Sequence, residues 1–533
     1  MLKKLNKISF RLVFWGFFYF FLFSLLLRGS FGYMDPDLGW HLKVGQEISE
    51  TGVVPSINHY NYPYEGSWVD HEWLSNLISY QIYDNFGYPA LVIFFALLII
   101  LILILLNIWV QRLIPGVPLY LLVFLQTLGV IGAMPHFGVR MQEFGPLFLL
   151  FLLLVIDEYS RKKNWRVLLF LPLIFYFWAC LHASFLIGFF LLAAWGAIKI
   201  GENLIYRYSS GLAIDFSQRI KCRKMLVFAF ASLVSFVATL FTPYKFELYS
   251  FLFGYRDSYY QSNIQEWLSQ FSFPFYYRQL IYLAILSFSL ILYFYYLREK
   301  RNKYKINLWQ LFLAFLFLFL SFQARRHFPL MFVSTFVLMV EVLNTAFRDQ
   351  DKSGNAPVKL WLKVYLILCL LLATLSHLVQ VNFIKNPFVA FCHEYPCAAV
   401  NFLRERPELD NLNLFNYYTW GGYMIYNLPE RKLFIDGRLP QMPLAGHTYL
   451  REYHEFFKDA EKTKEKLAEH DIRLVMIMAE DKKHLVKDWE KLVFGLESED
   501  FYGKNEFRSY ILNSSDWEMI YHDPVSVIYL RKQ

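Results

Sequence analysis

The chain has 533 residues, of which 56% are hydrophobic and 20% aromatic, while only 18% carry charge. A water-soluble fold has too little interior to hide that much apolar surface, so part of the solvent must be lipid. The formal net charge of +8 does not indicate nucleic acid, because Lys and Arg are spread over short linkers and form no single basic stripe.

Uncharged stretches long enough to cross a bilayer, roughly 20 residues, recur through the first 380 positions. They lie near 10–28, 88–110, 116–133, 144–156, 166–181, 184–200, 225–242, 279–297, 307–323, 328–345 and 360–379, which predicts about eleven transmembrane helices. Lys3, Lys4, Lys7 and Arg11 surround the start of the first stretch, and basic groups return at 161–163, 219–224, 298–305, Lys359 and Lys363. The positive-inside rule makes all of these linkers cytoplasmic, and each is an even number of spans from the next. The expectation is therefore a multi-pass protein of the plasma (inner) membrane with its N-terminus in the cytoplasm. An odd number of spans then places the tail on the extracytoplasmic face, with loop 29–87. The first apolar stretch has no small-residue cleavage site and reads as an uncleaved anchor. Two parts follow: 1–380, the transmembrane part with its outer loop 29–87, and 381–533, where charge is dense and nothing is long enough to span.

Loop 29–87 concentrates polar chemistry just after the first helix. If Pro36 starts a helix, Asp37 and His41 are four apart and share a face, suited to holding a metal or to base chemistry by the carboxylate. The alternative is a plain helix start, with Asp35 as N-cap and Asp37 on the positive dipole end. Further on, His71 and Glu72 open an amphipathic helix flanked by Trp68 and Trp73, either as members of the site or as an interfacial helix start. The ends of other spans on the same face supply His136, Arg140, Glu143, His182, Ser184, Lys245, Glu266, Arg325, Arg326 and His327. Arg325 and Arg326 suit a phosphate, since guanidinium forks give paired charge-assisted hydrogen bonds; a snorkelling arginine is the ordinary alternative.

In the tail, Ala398–Leu403 reads as a helix start, and 413–416, 432–437 and 473–478 as strands, closed by a hairpin over 517–521 and 525–530. This predicts an α/β module. Cys392 and Cys397 are the cysteines placed to pair in an oxidising compartment. Asp436 and Arg438 sit at a strand end, where α/β sheets bind ligands; a mutual ion pair is the alternative.

A first helix followed at once by a loop bearing Asp35-Pro36-Asp37, further loops with acids and arginines, and an outer C-terminal part resembles the GT-C superfamily of membrane glycosyltransferases. Residues 35–41 and 68–73 look most like bacterial multi-pass proteins similar to dolichyl-phosphate-mannose–protein mannosyltransferases. Weaker similarity to oligosaccharyltransferase catalytic subunits lies in Glu266 of Ile264-Gln265-Glu266-Trp267 and in Trp420 of 418–423, where Gly421 and Gly422 replace acidic character.

The resemblance implies a polyprenyl-phosphate-linked sugar donor, an acceptor glycan, lipid or protein on the extracytoplasmic face, and a catalytic first-loop acid, Asp37 or Asp35, with Glu266 as a further catalytic candidate. It implies phosphate contacts by Arg325 and Arg326. His41, His71, Glu72, Arg140, His182, Lys245, His327, Trp420, Asp436 and Arg438 complete the expected substrate-binding set. A divalent cation, Mg or Mn, held by Asp37, His41 and Glu266 is the cofactor expectation. A non-catalytic transporter or assembly partner in envelope polysaccharide export is the alternative, as is a metal-dependent hydrolase built on Asp37, His41, His71 and Glu72.

Overall fold

The computed structural model describes residues 2–208, 214–254, 258–299, 305–350, 360–480, 486–496 and 505–532. Lys359 and positions 300–304 of the basic run at 298–305 lie outside the described residues.

The first helix, α1 (Leu2–Phe31), is followed by a short connection to α2 (Leu38–Thr51). Asp37 rather than Asp35 occupies the N-cap position of α2, and the Asp35 carboxylate turns back to accept the Asp37 N–H at 2.9 Å. α3 (Trp73–Leu113) bends at Gly87, whose φ of 78° only glycine adopts without strain, and Pro89 restarts the helix beyond it. The bend separates a polar first half from an apolar second half, so the expected amphipathic helix and span are one broken element.

There follow α4 (Leu119–Ala133), α5 (Phe144–Lys162), α6 (Phe170–Leu181), α7 (Phe185–Tyr208), α8 (Cys222–Thr239), α9 (Glu247–Phe253), α10 (Ser258–Asn263), α11 (Tyr277–Glu299), α12 (Leu308–Gln323), α13 (Phe328–Gln350) and α14 (Leu360–Val379). Every apolar stretch singled out in the sequence falls on a helix. Among the described residues seven helices are long and apolar enough to cross a membrane, and three more apolar helices are shorter. The chain is a multi-pass membrane protein. Its α13 span is 78% buried and α8 only 17%, which makes α13 the axial helix and α8 a peripheral one.

Beyond α14 come α15 (Pro387–Ala390), the Cys392–Cys397 disulfide and α16 (Cys397–Arg404). Next are β1 (Asn413–Asn416), α17 (Gly421–Asn427), a small hairpin of β2 (Pro443–Leu444) and β3 (His447–Thr448), then α18 (Tyr449–Glu455), α19 (Ala460–Glu469), β4 (Ile472–Met478), β5 (Trp517–His522) and β6 (Ser526–Arg531). The main sheet has the order β1-β4-β6-β5, with β1 parallel to β4 and the other pairs antiparallel. Phe415 on β1 anchors its core, within 5.5 Å of the rings of Phe434, Tyr453, Phe456 and Phe507.

The expected strand at 432–437 is not one. Leu433 makes only single parallel bridges, one to Leu414 and one to Asn61 of loop one. Its N–H donates to Tyr60 O at 2.8 Å, its carbonyl accepts from Tyr62 N–H at 3.2 Å, and Lys432 pairs with Glu65. This stretch thus links loop one to the tail. The two lie on the same face of the helix bundle.

Candidate active site

α2 lies between the polar half of α3 and α17, and the contacts on both sides are backbone-close. A Cβ on Gly422 would strike Pro36 O and crowd the Asp37 Cα, and one on Gly437 would overlap the Asp37 carboxylate. Gly422 and Gly437 are therefore close-approach positions that let the tail rest directly on the start of α2, while Gly421 makes room for Asp436 within the tail. Asp37 sits half-buried at this junction. Burial first, and the Asp35 charge second, push its carboxyl up to about 7.

Asp35 is turned the other way. Its Oδ2 lies 2.6 Å from Arg140 Nε, and Arg140 Nη2 pairs with Glu266 Oε1. One guanidinium therefore bridges acids from two distant loops. Burial works to raise half-buried Glu266, but Arg140, with Arg326 and His136 helping, holds it down at about 2. Arg140 itself is held above its ordinary value by the two carboxylates against the cost of burial.

Next to this group, Glu72 has three imidazoles around it. His182 Nε2 is 3.4 Å and His71 Nε2 3.6 Å from Oε1, and His41 Nε2 is 3.9 Å from Oε2. The hydrogen-bond network assigns the tautomers of two of them. Asn76 Nδ2 donates to Asp70 at 2.8 Å, leaving its Oδ1 to accept from His41 Nδ1 at 2.6 Å, so the His41 Nε2 lone pair faces Glu72. The Ser184 N–H donates to His182 Nδ1 at 3.1 Å, so the ring proton is on Nε2 and points at Glu72. Burial, with the Asp70 charge adding to it, pushes Glu72 up to about 8. Burial also lowers His41 to about 3, with His71 and Arg140 adding to it, and His71 to about 4, with Arg326 adding to it. Near neutral pH this cluster stores its proton on the carboxyl and keeps the rings uncharged.

The two neighbouring arginines part company. Arg325 is fully buried, donates through Nε to Ser269 O at 3.1 Å and through Nη2 to Ser272 O, and lies over the Tyr276 ring. Arg326 is half-buried, stacks on Trp267 at 4.5 Å and makes no ion pair among the described residues. Its charge acts on both Glu266 and Glu72, which places it between the two clusters. Of the two expected phosphate contacts, only Arg326 has an available guanidinium; Arg325 is committed to shaping the turn at 269–272.

Five other expected contacts are placed elsewhere. Lys245 is exposed, and the inward residue of its turn is Tyr244, whose hydroxyl accepts the Asp70 N–H at 3.0 Å and donates to Pro55 O at 2.5 Å. Trp420 is a core residue with its indole N–H on Glu394 O. Asp436 and Arg438 form a fully buried ion pair at 2.9 Å, and Arg438 Nη2 also donates to Asn58 and Asn61, tying the tail to loop one. His327 packs edge-on against Trp267. Sequence reasoning missed Asp70, Asn76 and Tyr244 as members of the network. Asn76 carried a signal, being one helical turn after Glu72 on the same face of α3.

No protein-family model matches the sequence, and no curated protein sequence does. Solved structures do match in three dimensions. The Archaeoglobus fulgidus oligosaccharyltransferase tethered with an acceptor peptide containing the NVT sequon aligns at a TM-score of 0.53 and 11% identity, over 96% of this chain and 73% of that one. The same organism's enzyme in complex with an inhibitory peptide and a dolichol-phosphate aligns at 0.51 and 11%, over 99% and 75%. Its apo form aligns at 0.51 and 12%, over 86% and 68%.

The chain has a GT-C-like membrane fold. The metal set expected within that fold, Asp37, His41 and Glu266, is not assembled: His41 faces α3 through Asn76, and Glu266 is committed to Arg140. Among the described residues only Glu452, Glu469 and His470 gather their ligand atoms within 4.8 Å of one another. Lys466 Nζ already sits 2.9 Å from Glu452 and 2.7 Å from Glu469, so a cation there would compete with the lysine.

Proposed function

We propose that this GT-C-like protein is a glycosyltransferase that moves a sugar from a polyprenyl-phosphate-linked donor to an acceptor glycan, lipid or protein on the extracytoplasmic face. The observation that carries the reading is that Asp37, a carboxylate with no ion pair among the described residues, and Arg326, a guanidinium with none, both act on Glu72 and Tyr260 at one end of a bundle of apolar helices. In this reading Asp37 accepts the proton of the acceptor hydroxyl as its oxygen attacks the anomeric carbon. The bond from that carbon to the phosphate oxygen breaks, and the polyprenyl phosphate leaves with the electron pair, its charge met by Arg326. A carboxyl titrating near 7 is well placed for a base at neutral pH.

Asp35 is a weaker candidate for the base, since its oxygens are taken by the Asp37 N–H and Arg140. Support for a lipid-linked donor also comes from the similar archaeal structure that holds a dolichol-phosphate. The division into a transmembrane part, 1–380, and an outer α/β part, 381–533, belongs to this reading, as do the eleven spans and the cytoplasmic N-terminus.

Turnover of radiolabelled lipid-linked sugar by purified protein tests it. Asp37→Asn should abolish transfer and Asp35→Asn weaken it; full activity in both variants and in the double variant refutes the mechanism. In sealed vesicles, an impermeant maleimide should label a cysteine placed at exposed Arg451 from the side opposite Cys222.

A further inference from the structure

Buried acids that stay ionised at the mouth of a membrane bundle need a cation, which either a bound metal or a basic side chain can supply. Here Asp35 and Glu266 come from loops more than 200 residues apart in sequence, and both turn onto Arg140. The guanidinium side chain is 16% exposed, with Asp35 at 7% and Glu266 at 26%, so the charge is enclosed by the acids it serves. Its planar fork reaches the two carboxylates through different nitrogens, the geometry that suits arginine to bridging. Tyr33, Asp37, His136 and Arg326 surround the trio. Arg140 and Arg326 together present two fixed positive charges, the charge of a divalent ion.

We propose that Arg140 is the resident cation of this site: it occupies the place between Asp35 and Glu266 that a divalent ion would need, and the pair takes no metal while the guanidinium is there. The inference deepens the transferase reading, but it is a statement about binding and is measured without any sugar donor, so the two fail separately. Oxygen ligands must close to about 2.0–2.2 Å around Mg2+ or a similar ion. A guanidinium lodged between the carboxylates prevents that closure, and removing it leaves two carboxylates facing one gap.

The test is Mn2+ binding to the full-length protein in detergent, followed by electron paramagnetic resonance. Wild type should show no Mn2+ whose binding depends on Asp35 or Glu266. Arg140→Ala should gain one Mn2+ per chain, lost again in Arg140→Ala with Glu266→Gln, and its melting temperature should rise with Mn2+ or with free guanidinium. A wild-type Mn2+ removed by Glu266→Gln overturns the proposal, and so does a folded Arg140→Ala that gains no ion. Should Arg140→Ala not fold, the wild-type measurement decides alone, with Arg140→Lys expected to fold and to remain free of Mn2+.

Discussion

Arg325 and Arg326 are adjacent and chemically identical, yet their replacement by alanine should give opposite phenotypes. Arg325→Ala removes two hydrogen bonds to the carbonyls of Ser269 and Ser272 and a ring contact with Tyr276. Leaving a buried carbonyl unpaired costs about 1–3 kcal/mol. Both serines are half-buried, so water recovers part of that, and about 2–3 kcal/mol of lost stability is expected in total. Turnover per folded molecule should stay close to wild type. Arg326→Ala breaks no ion pair among the described residues and should barely move the melting temperature in detergent.

In the proposed reaction, what Arg326→Ala loses is the positive donor that meets the leaving phosphate. Removing one such donor typically costs about 100- to 1,000-fold in turnover, or about 2.7–4 kcal/mol. Melting curves and donor turnover on the same preparations separate the two effects. A dead Arg325→Ala with an unchanged melting curve, or a fully active Arg326→Ala, refutes the assignment.

The pH profile follows from Asp37. Burial and Asp35 favour its neutral acid, and a base works only when ionised, so kcat/KM should rise about tenfold per unit below about 7 and level off above it. Asp35→Asn removes the second cause and should move the midpoint to lower pH; a flat profile across that range removes Asp37 as the base. Gly437→Ala adds a methyl group where the Asp37 carboxylate lies and should shift it, and a misplacement of about 1 Å can cost about 100-fold. Normal turnover in Gly437→Ala would mean that the tail does not rest on Asp37 during the reaction.

Much of this architecture was legible in the chain because bilayer crossing is a local property. Each span announces itself by an unbroken apolar run, and the positions at its ends follow from the run. That is why Asp35, Asp37, Glu72, Arg140, His182, Glu266 and Arg326 fall on one membrane face from the sequence alone. Cys392 and Cys397 were legible for a similar reason, since the short spacing brings them within reach of each other.

Partnership was not legible, because it depends on the direction each side chain takes once distant segments pack. Arg325 and Arg326 lie in one 3-10 turn, where successive residues point about 120° apart, so one enters the protein and the other faces the clusters. Asp37 and His41 share a helical spacing, but the approach of α3 draws His41 to Asn76 instead. The segment at 432–437 had the composition of a strand and became a bridge because loop one supplied only a single pairing partner on its free side. Local hydrophobicity places residues at a membrane face; the enclosure of Asp35 and Glu266 around Arg140 exists only when three separate loops meet there.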